Sequence, residues 1–191
     1  MENSKLIVVE GPQGAGKTTI TDFLRYSLSY TNWYRLCGTS DSTKTGLEKA
    51  KNMYETLLEY VKKLENLSIN LVFDRTFFTE ENYCRLGKKE YSFTKVYNEL
   101  LEKFSKLDFD IYYITLYLEN EDEYEHRLAR GGKAAFKNSA FEKENSIAQQ
   151  REYLKMSEEI KEKYPNIKVY NIKSDRPLDE VKKDIKDKIG F

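Results

Sequence analysis

Apolar positions along the chain follow two spacings, one typical of buried strands and one typical of amphipathic helices. The first apolar run, at residues 5–10, is short, continuous and β-branched, which predicts a buried parallel strand. After Thr18, apolar side chains recur at helical spacing as far as Leu28. The same patterns predict further strands at 33–39, 69–73, 110–118 and 167–172, and further helices at 46–66, 92–107, 120–130, 140–163 and 177–189.

This alternation of strands and helices predicts an α/β fold. Parallel strands need crossover connections, and right-handed crossovers place helices on both faces of the sheet. Ligands of such sheets bind at the carboxyl ends of the strands. We therefore expect one edge of the sheet to carry the segments that follow the strands: 11–18, 37–41, 74–84, 127–137 and 173–176.

The segment between the first strand and the first helix is Gly11-Pro-Gln-Gly-Ala-Gly-Lys-Thr18, which fits the pattern G-x-x-x-x-G-K-[ST]. Its glycines permit close approaches, so that successive N–H groups can surround a phosphate at a helix N-terminus. Lys17 is expected to reach the β- and γ-phosphates, and Thr18 to bind Mg²⁺. An ordinary glycine turn is the alternative, but the flanking strand and helix favour a nucleoside triphosphate site. We expect a three-layer P-loop NTPase fold, with a five-stranded parallel sheet of order 2-3-1-4-5.

Asp74 and Arg75 end the third apolar strand. P-loop proteins commonly keep a second carboxylate at this place, where it helps to order magnesium. Helix N-capping is the alternative for Asp74, and Thr76 is equally suited to that role. The planar fork of Arg75 suits a second phosphate or a carboxylate, whereas a surface arginine is the alternative.

A third cluster of charge, formed by Arg127, Arg130, Lys133 and Lys137, surrounds the glycine pair 131–132. Phosphoryl transfer spreads negative charge over the moving group, and a mobile cationic flap can stabilise that charge. A solvated basic turn is the alternative. We expect one domain over residues 1–191, with a lid at about 127–140.

The composition of the chain bears on its size, on its partners and on its compartment. The 191 residues suit one domain with a sizeable core. Lysine and arginine number 32, and so do aspartate and glutamate, which indicates neither a nucleic acid nor a membrane as partner. Cys37 and Cys84 form no metal-spaced cluster and favour a reducing compartment. Because there is no secretory leader and no apolar run near 18 residues, we expect a soluble cytoplasmic protein.

These residues resemble those of the P-loop nucleoside and nucleotide kinases, and most of all the thymidylate kinases. The phosphate loop, with Val9 and Glu10 before it and Thr19 after it, is similar to that family's opening loop. Asp74-Arg-Thr-x-x-Thr79-x-x-Asn-Tyr83-Cys84 has the register of its D-R-Y-x-x-S-x-x-A-Y-Q. Residues 127–132 resemble the start of its lid, and residues 171–175 resemble its adenine-side loop.

The resemblance implies transfer of the γ-phosphate of ATP, with Mg²⁺, to a deoxynucleoside 5′-monophosphate. It also implies a homodimer. For the ligands, it implies that Arg75 binds the acceptor phosphate, that Gln13 and Tyr83 lie near the acceptor sugar, and that Arg127 lies over the adenine. Motifs and resemblance together assign Lys17, Asp74, Arg75 and Arg130 to catalysis; Gly11, Gln13, Gly14, Ala15, Gly16, Lys17, Thr18, Thr19, Arg127 and Asp175 to ATP; Thr18 and Asp74 to the metal; and Gln13, Arg75, Thr79 and Tyr83 to the acceptor.

The chain departs from that family at positions near the base. Thr76 replaces an aromatic residue, and Cys84 replaces a glutamine that helps to select the base. The sequence therefore leaves the identity of the acceptor's base undetermined. A deoxynucleoside kinase is the nearest alternative. It would need a general base for the 5′-hydroxyl proton, and residues 37–40 offer no glutamate. A nucleotide-sensing P-loop protein without a small acceptor is the other alternative, and a second nucleoside-sized pocket would separate it from a kinase.

Overall fold

The structure, a computed structural model, describes residues 4–130 and 142–191. Its strands are β1 (Lys5–Glu10), β2 (Thr31–Arg35), β3 (Asn70–Asp74), β4 (Asp110–Tyr117) and β5 (Lys168–Lys173). Its helices are α1 (Lys17–Ser27), α2 (Gly46–Lys63), α3 (Phe77–Arg85), α4 (Thr94–Ser105), α5 (Glu123–Arg130), α6 (Lys143–Lys163) and α7 (Leu178–Ile189). Over the described residues, no helix combines the length and the apolar composition needed to span a membrane.

The strands form one parallel sheet of order β2-β3-β1-β4-β5, which confirms the predicted architecture. All six residues of the central strand β1 are buried. Because side chains alternate along a strand, Leu6 and Val8 enter one core cluster while Ile7 and Val9 enter the other. Helices α2, α3, α4 and α6 pack against the first face, and α1 and α7 pack against the second.

The second strand ends at Arg35 rather than at residue 39. As an edge strand, β2 pairs only with β3, and the last pair in the register is Arg35 with Asp74. The Leu36 N–H then donates to the Asp74 carbonyl at 2.9 Å, after which the chain leaves the sheet. The two strands therefore end side by side, and this places the Arg35 side chain next to Asp74.

Helix α3 begins two residues after Arg75, with Thr76 between them, and was not predicted as a helix. Its residues 77–82 are all buried. A helix shows a 3.6-residue period only when one face is polar and exposed. The pattern of apolar positions was therefore uninformative over this segment.

Candidate active site

The phosphate loop joins β1 to α1 in conformations that require glycine. Gly11 has φ +141°, and a Cβ atom there would lie 2.6 Å from the carbonyl oxygen of Leu116 in β4. Gly14 and Gly16 also have positive φ, and α1 begins immediately after Gly16. The Lys17 ammonium group folds back over the loop and donates to the Pro12 carbonyl at 2.7 Å. This arrangement places a helix N-terminus and a cation around one phosphate-sized position.

Thr18 and Asp74 meet at the edge of the sheet. The Thr18 hydroxyl, in the first turn of α1, donates to Oδ2 of Asp74, the last residue of β3, at 3.0 Å. Arg35 Nε lies 3.7 Å from the same carboxylate oxygen. Mg²⁺ prefers oxygen ligands and is usually bound by few protein groups together with phosphates. The oxygen atoms of Thr18 and Asp74 fit this donor set, so these two residues would hold the ion.

Arg75 lines the cleft and has a left-handed backbone conformation, with φ +73°. Its N–H donates to the Val9 carbonyl at 3.1 Å, which fixes the residue against the end of β1. Its Nη1 donates to the Tyr83 hydroxyl at 2.9 Å. The backbone of Arg75 is therefore held by β1, and its guanidinium is held by a side chain from α3.

Glu10, the last residue of β1, is a fully buried carboxylate beneath this turn. It accepts hydrogen bonds from the Thr76 N–H at 2.7 Å and from the Thr79 hydroxyl at 2.7 Å. The Thr79 hydroxyl also lies 2.9 Å from the Tyr153 hydroxyl of α6. Burial raises the pKa of Glu10 from 4.5 to about 7, against the opposing effect of the bonds from Thr79 and Thr76. Glu10 thus links β1, α3 and α6 below the cleft.

The opposite side of the phosphate loop is bound by Arg127 of α5 and by the segment after β5. Arg127 donates from Nη1 to the Gly14 carbonyl at 3.3 Å and from Nη2 to the Ser174 carbonyl at 2.9 Å. The Ser174 hydroxyl in turn donates to the Ala15 carbonyl at 2.8 Å. Arg176 donates from Nε to the Lys173 carbonyl at 2.9 Å. These bonds tie the phosphate loop to the β4–β5 side of the sheet.

A single cleft of about 530 Å³ is lined by residues from both sides of the phosphate loop. Among its described lining residues, the only carboxylate is Asp74. The cations that line it are Lys17, Arg35, Arg75, Arg127, Arg130 and Arg176. A cleft lined by one sign of charge concentrates ligands of the opposite sign. The cleft therefore suits a polyanion, or two anions side by side.

Solved structures of two kinds of kinase share this fold over nearly the whole chain. The thymidylate kinase of Candida albicans superposes with a TM-score of 0.65 and 16% identity, covering 98% of this chain and 91% of that chain. For the thymidylate kinase of Ehrlichia chaffeensis the values are 0.64 and 14%, over 98% and 99%. For the deoxyadenosine kinase of M. mycoides with bound dATP they are 0.61 and 17%, over 97% and 99%. The chain has the fold of the P-loop nucleotide kinases.

At sequence identities of 14–17%, the similarity between this chain and those kinase structures shows the fold alone. No protein-family model and no curated protein matches the sequence. The roles of individual side chains in this P-loop kinase fold must therefore be argued from their own geometry.

The site residues predicted from the sequence fall into three groups, according to where they lie relative to the cleft. The first group lines the cleft: Gln13, Gly14, Ala15, Gly16, Lys17, Thr18, Thr19, Asp74, Arg75, Arg127 and Arg130. The second group supports it or lies beside it: Gly11 in the strand-to-loop turn, Thr79 on Glu10, Tyr83 on Arg75, and Asp175, whose Oδ2 accepts from the Asn120 N–H at 2.7 Å. The third group, Lys133 and Lys137 with most of the predicted lid, lies outside the described residues.

Sequence reasoning did not assign Arg35 or Glu10 to the site. Arg35 was missed because the predicted strand ran to residue 39, which placed the sheet edge at 37–41. Glu10 was noted only as part of the opening motif, and its hydrogen bonds span 66 and 69 residues of sequence. A carboxylate at the end of an otherwise apolar buried strand was the available signal.

Proposed function

We propose that the protein is a nucleotide kinase that transfers the γ-phosphate of ATP to a nucleoside 5′-monophosphate, a deoxynucleotide by the resemblance stated above. The observation that carries the proposal is that the phosphate loop and the Arg75 fork line one cleft. A phosphoryl group can pass directly between two bound molecules only when donor and acceptor share such a space. The solved structures of kinases that share this fold support the same proposal.

The donor half of the cleft lies around the phosphate loop and Arg127. The N–H groups of the loop and the Lys17 ammonium group bind the β- and γ-phosphates, and Arg127 covers the adenine side. Thr18 and Asp74 would hold Mg²⁺, which would supply positive charge against the phosphates of ATP. The protein's own part is to fix these groups before the reaction, because preorganised charge needs no rearrangement at the transition state.

The acceptor half lies at the ends of β2 and β3, where Arg75 and Arg35 line the cleft. A guanidinium fork binds two oxygens of a phosphate at once, which orients the acceptor as well as attracting it. Besides Lys17 and Arg127 in the donor half, the cleft is lined by Arg35 and Arg75 in the acceptor half. These two further cations support a second phosphorylated ligand rather than an uncharged nucleoside.

A 5′-hydroxyl acceptor would need a general base, whereas the oxygen of a monophosphate is already anionic. Asp74 is the only carboxylate among the described lining residues, and it is engaged by Thr18 and Arg35. Glu10 is completely buried beneath Thr76 and Thr79 and has no access to an acceptor. These contacts favour a monophosphate acceptor over a nucleoside.

The test is an ATP-consumption screen of the purified protein against common nucleosides and nucleoside monophosphates, with Mg²⁺ present. The expected result is turnover with one or a few monophosphates and none with the matching nucleosides. Turnover with nucleosides alone would overturn the monophosphate assignment. Acceptor-independent ATP hydrolysis as the sole activity would overturn the kinase proposal.

A further inference from the structure

The connection from β2 to α2, residues 36–45, forms one wall of the acceptor half of the cleft, and we call it the acceptor loop. Leu36 and Cys37 line the cleft directly. Farther along, Asp41 closes a turn by accepting from the Thr43 N–H at 2.9 Å and from the Thr45 hydroxyl at 2.8 Å. Between these two parts lies Thr39, whose peptide groups have partners from elsewhere in the chain.

Three side chains, Glu80, Lys89 and Tyr91, meet beside the backbone of Thr39, and we call them the support cluster. Glu80 Oε2 accepts from the Thr39 N–H at 2.7 Å. The Lys89 ammonium group donates to the Thr39 carbonyl and lies 3.4 Å from Glu80 Oε1. The Tyr91 hydroxyl donates to the same Glu80 oxygen. The backbone of Thr39 is thus held through both its N–H and its carbonyl group, which belong to two successive peptide groups of the acceptor loop.

The segment that carries Lys89 and Tyr91 contacts the acceptor loop at further points. The N–H of Glu90 donates to the Ser42 carbonyl at 2.8 Å. The Tyr91 ring packs so closely on Gly46, at the start of α2, that a Cβ there would lie 2.8 Å from it. At Gly38, a Cβ would lie 3.0 Å from Glu80 Oε2. The acceptor loop therefore contacts Glu80 or the segment 89–91 at Gly38, Thr39 and Ser42, and the contact of Tyr91 with Gly46 continues this packing to the start of α2.

The support cluster places an ion pair where an apolar pair would stabilise the fold as well. Only 4% of the Lys89 side chain and none of the Glu80 side chain is exposed to solvent. Desolvating two charges is unfavourable, and replacing a buried ion pair by packed apolar residues is often neutral or stabilising. Glu80 and Lys89 both bond to the backbone of Thr39, Glu80 at its N–H and Lys89 at its carbonyl. The buried ion pair of Glu80 and Lys89 is therefore better explained by its hold on the Thr39 backbone than by a contribution to the stability of the fold.

We propose that Glu80, Lys89 and Tyr91 are positioning residues that fix the acceptor loop and thereby set the affinity for the acceptor nucleotide. This inference rests on the proposed kinase function. Thr39, whose backbone is fixed in this way, lies two residues after Cys37, so its displacement would move the cleft wall and the end of β2 that carries Arg35. The donor half is held by separate contacts, from Arg127 and Ser174.

The test compares Lys89→Met and Tyr91→Phe with Glu81→Gln. Glu81 is the matched control because it is adjacent on α3, equally buried, and paired with Arg85 at 2.8 Å rather than with the acceptor loop. We expect Lys89→Met to raise the KM of the monophosphate identified in the screen by about tenfold to a hundredfold, the scale on which a displacement of about 1 Å acts. The KM of ATP should change by less than about threefold, and Lys89→Arg should restore much of the acceptor affinity.

Glu81→Gln should lower the melting temperature without changing the acceptor KM, and Tyr91→Phe should raise that KM by a smaller factor than Lys89→Met. Hydrogen exchange at the Thr39 amide gives a readout without catalysis, and it should accelerate in Lys89→Met but not in Glu81→Gln. An unchanged acceptor KM in a folded Lys89→Met variant, or an equal rise in both KM values, would overturn the inference. An inactive wild-type protein in the screen would instead overturn the proposed function.

Discussion

Arg75 has an uncommon backbone conformation for its residue type. Its φ of +73° is unfavourable by about 1–2 kcal/mol for a residue with a Cβ. Hydrogen bonds on both sides of it offset this strain, since its own N–H binds Val9 and the next N–H binds Glu10. Strained residues that persist in this way cluster at functional sites. The position of the fork is therefore set by β1 as much as by β3.

Replacing Arg75 by alanine isolates the guanidinium group, because alanine has a similar backbone preference at this φ. We expect kcat/KM for the acceptor to fall by about 10²–10³-fold, the scale of a single electrostatic donor in an active site. The loss should include a higher acceptor KM and a lower kcat, because the fork both binds the acceptor and orients it. Steady-state kinetics with each substrate varied in turn measures this. An unchanged acceptor KM would remove Arg75 from the role.

Glu10 gives the stability of the fold a specific pH dependence. Its pKa of about 7 in the folded protein exceeds the ordinary value of 4.5, so between these values the folded state binds more protons than the unfolded state. Its contribution is fully present below the lower value and is lost as the pH rises through 7. In Glu10→Gln, an amide oxygen can still accept from Thr76, but the titration is removed.

Urea denaturation at several pH values between 4.5 and 7.5 tests this. The free energy of unfolding of the wild type should fall with rising pH relative to that of Glu10→Gln, by on the order of 3 kcal/mol over the whole range. Parallel profiles for the two proteins would show that Glu10 does not titrate in this way.

At the scale of elements, the phosphate loop requires glycine at its first position for two separate reasons. Gly11 combines φ +141° with a near contact to the backbone of β4. Gly87 also has positive φ, at +68°, but a Cβ there would meet nothing within 4 Å. Substitutions at Gly87 and at Gly11 therefore distinguish the effect of backbone strain alone from the effect of strain together with a steric clash.

We expect Gly87→Ala to lower the free energy of unfolding by about 1 kcal/mol. Gly11→Ala should lower it by about 3 kcal/mol or more, because neither the φ value nor the Leu116 carbonyl oxygen can accommodate the methyl group. Chemical denaturation of both variants provides the comparison. Equal losses would mean that β4 moves away from the loop at little cost.

The elements differed in how far the sequence determined them. Helix α1 and strand β1 were predictable because the motif and its apolar flanks agree. Helix α3 was hidden because residues 77–82 are buried on every side. The end of β2 depended on its pairing with β3, a non-local contact that the residues of β2 do not encode alone.

At the scale of the whole molecule, the strand order brings together segments that are far apart in sequence. The cleft joins residues from the ends of all five strands or the connections that follow them, as expected for a parallel sheet with ligands at its carboxyl edge. Sequence reasoning predicted this meeting place and most of its lining residues. It could not predict the supports beneath, such as Glu10 with Thr79 and Glu80 with Lys89, because they depend on tertiary contacts between buried polar groups.

In the proposed reaction, the phosphate loop around Lys17 and the guanidinium of Arg75 act on two phosphorylated molecules at once. The most direct measurement is ³¹P NMR of a reaction containing ATP, Mg²⁺ and the accepted monophosphate, run with wild type and with folded Lys17→Ala. We predict that the single monophosphate resonance disappears in step with ATP and is replaced by diphosphate signals, and that Lys17→Ala leaves both substrates intact. A persistent monophosphate resonance while ATP is converted to inorganic phosphate, or undiminished turnover by Lys17→Ala, would contradict the account.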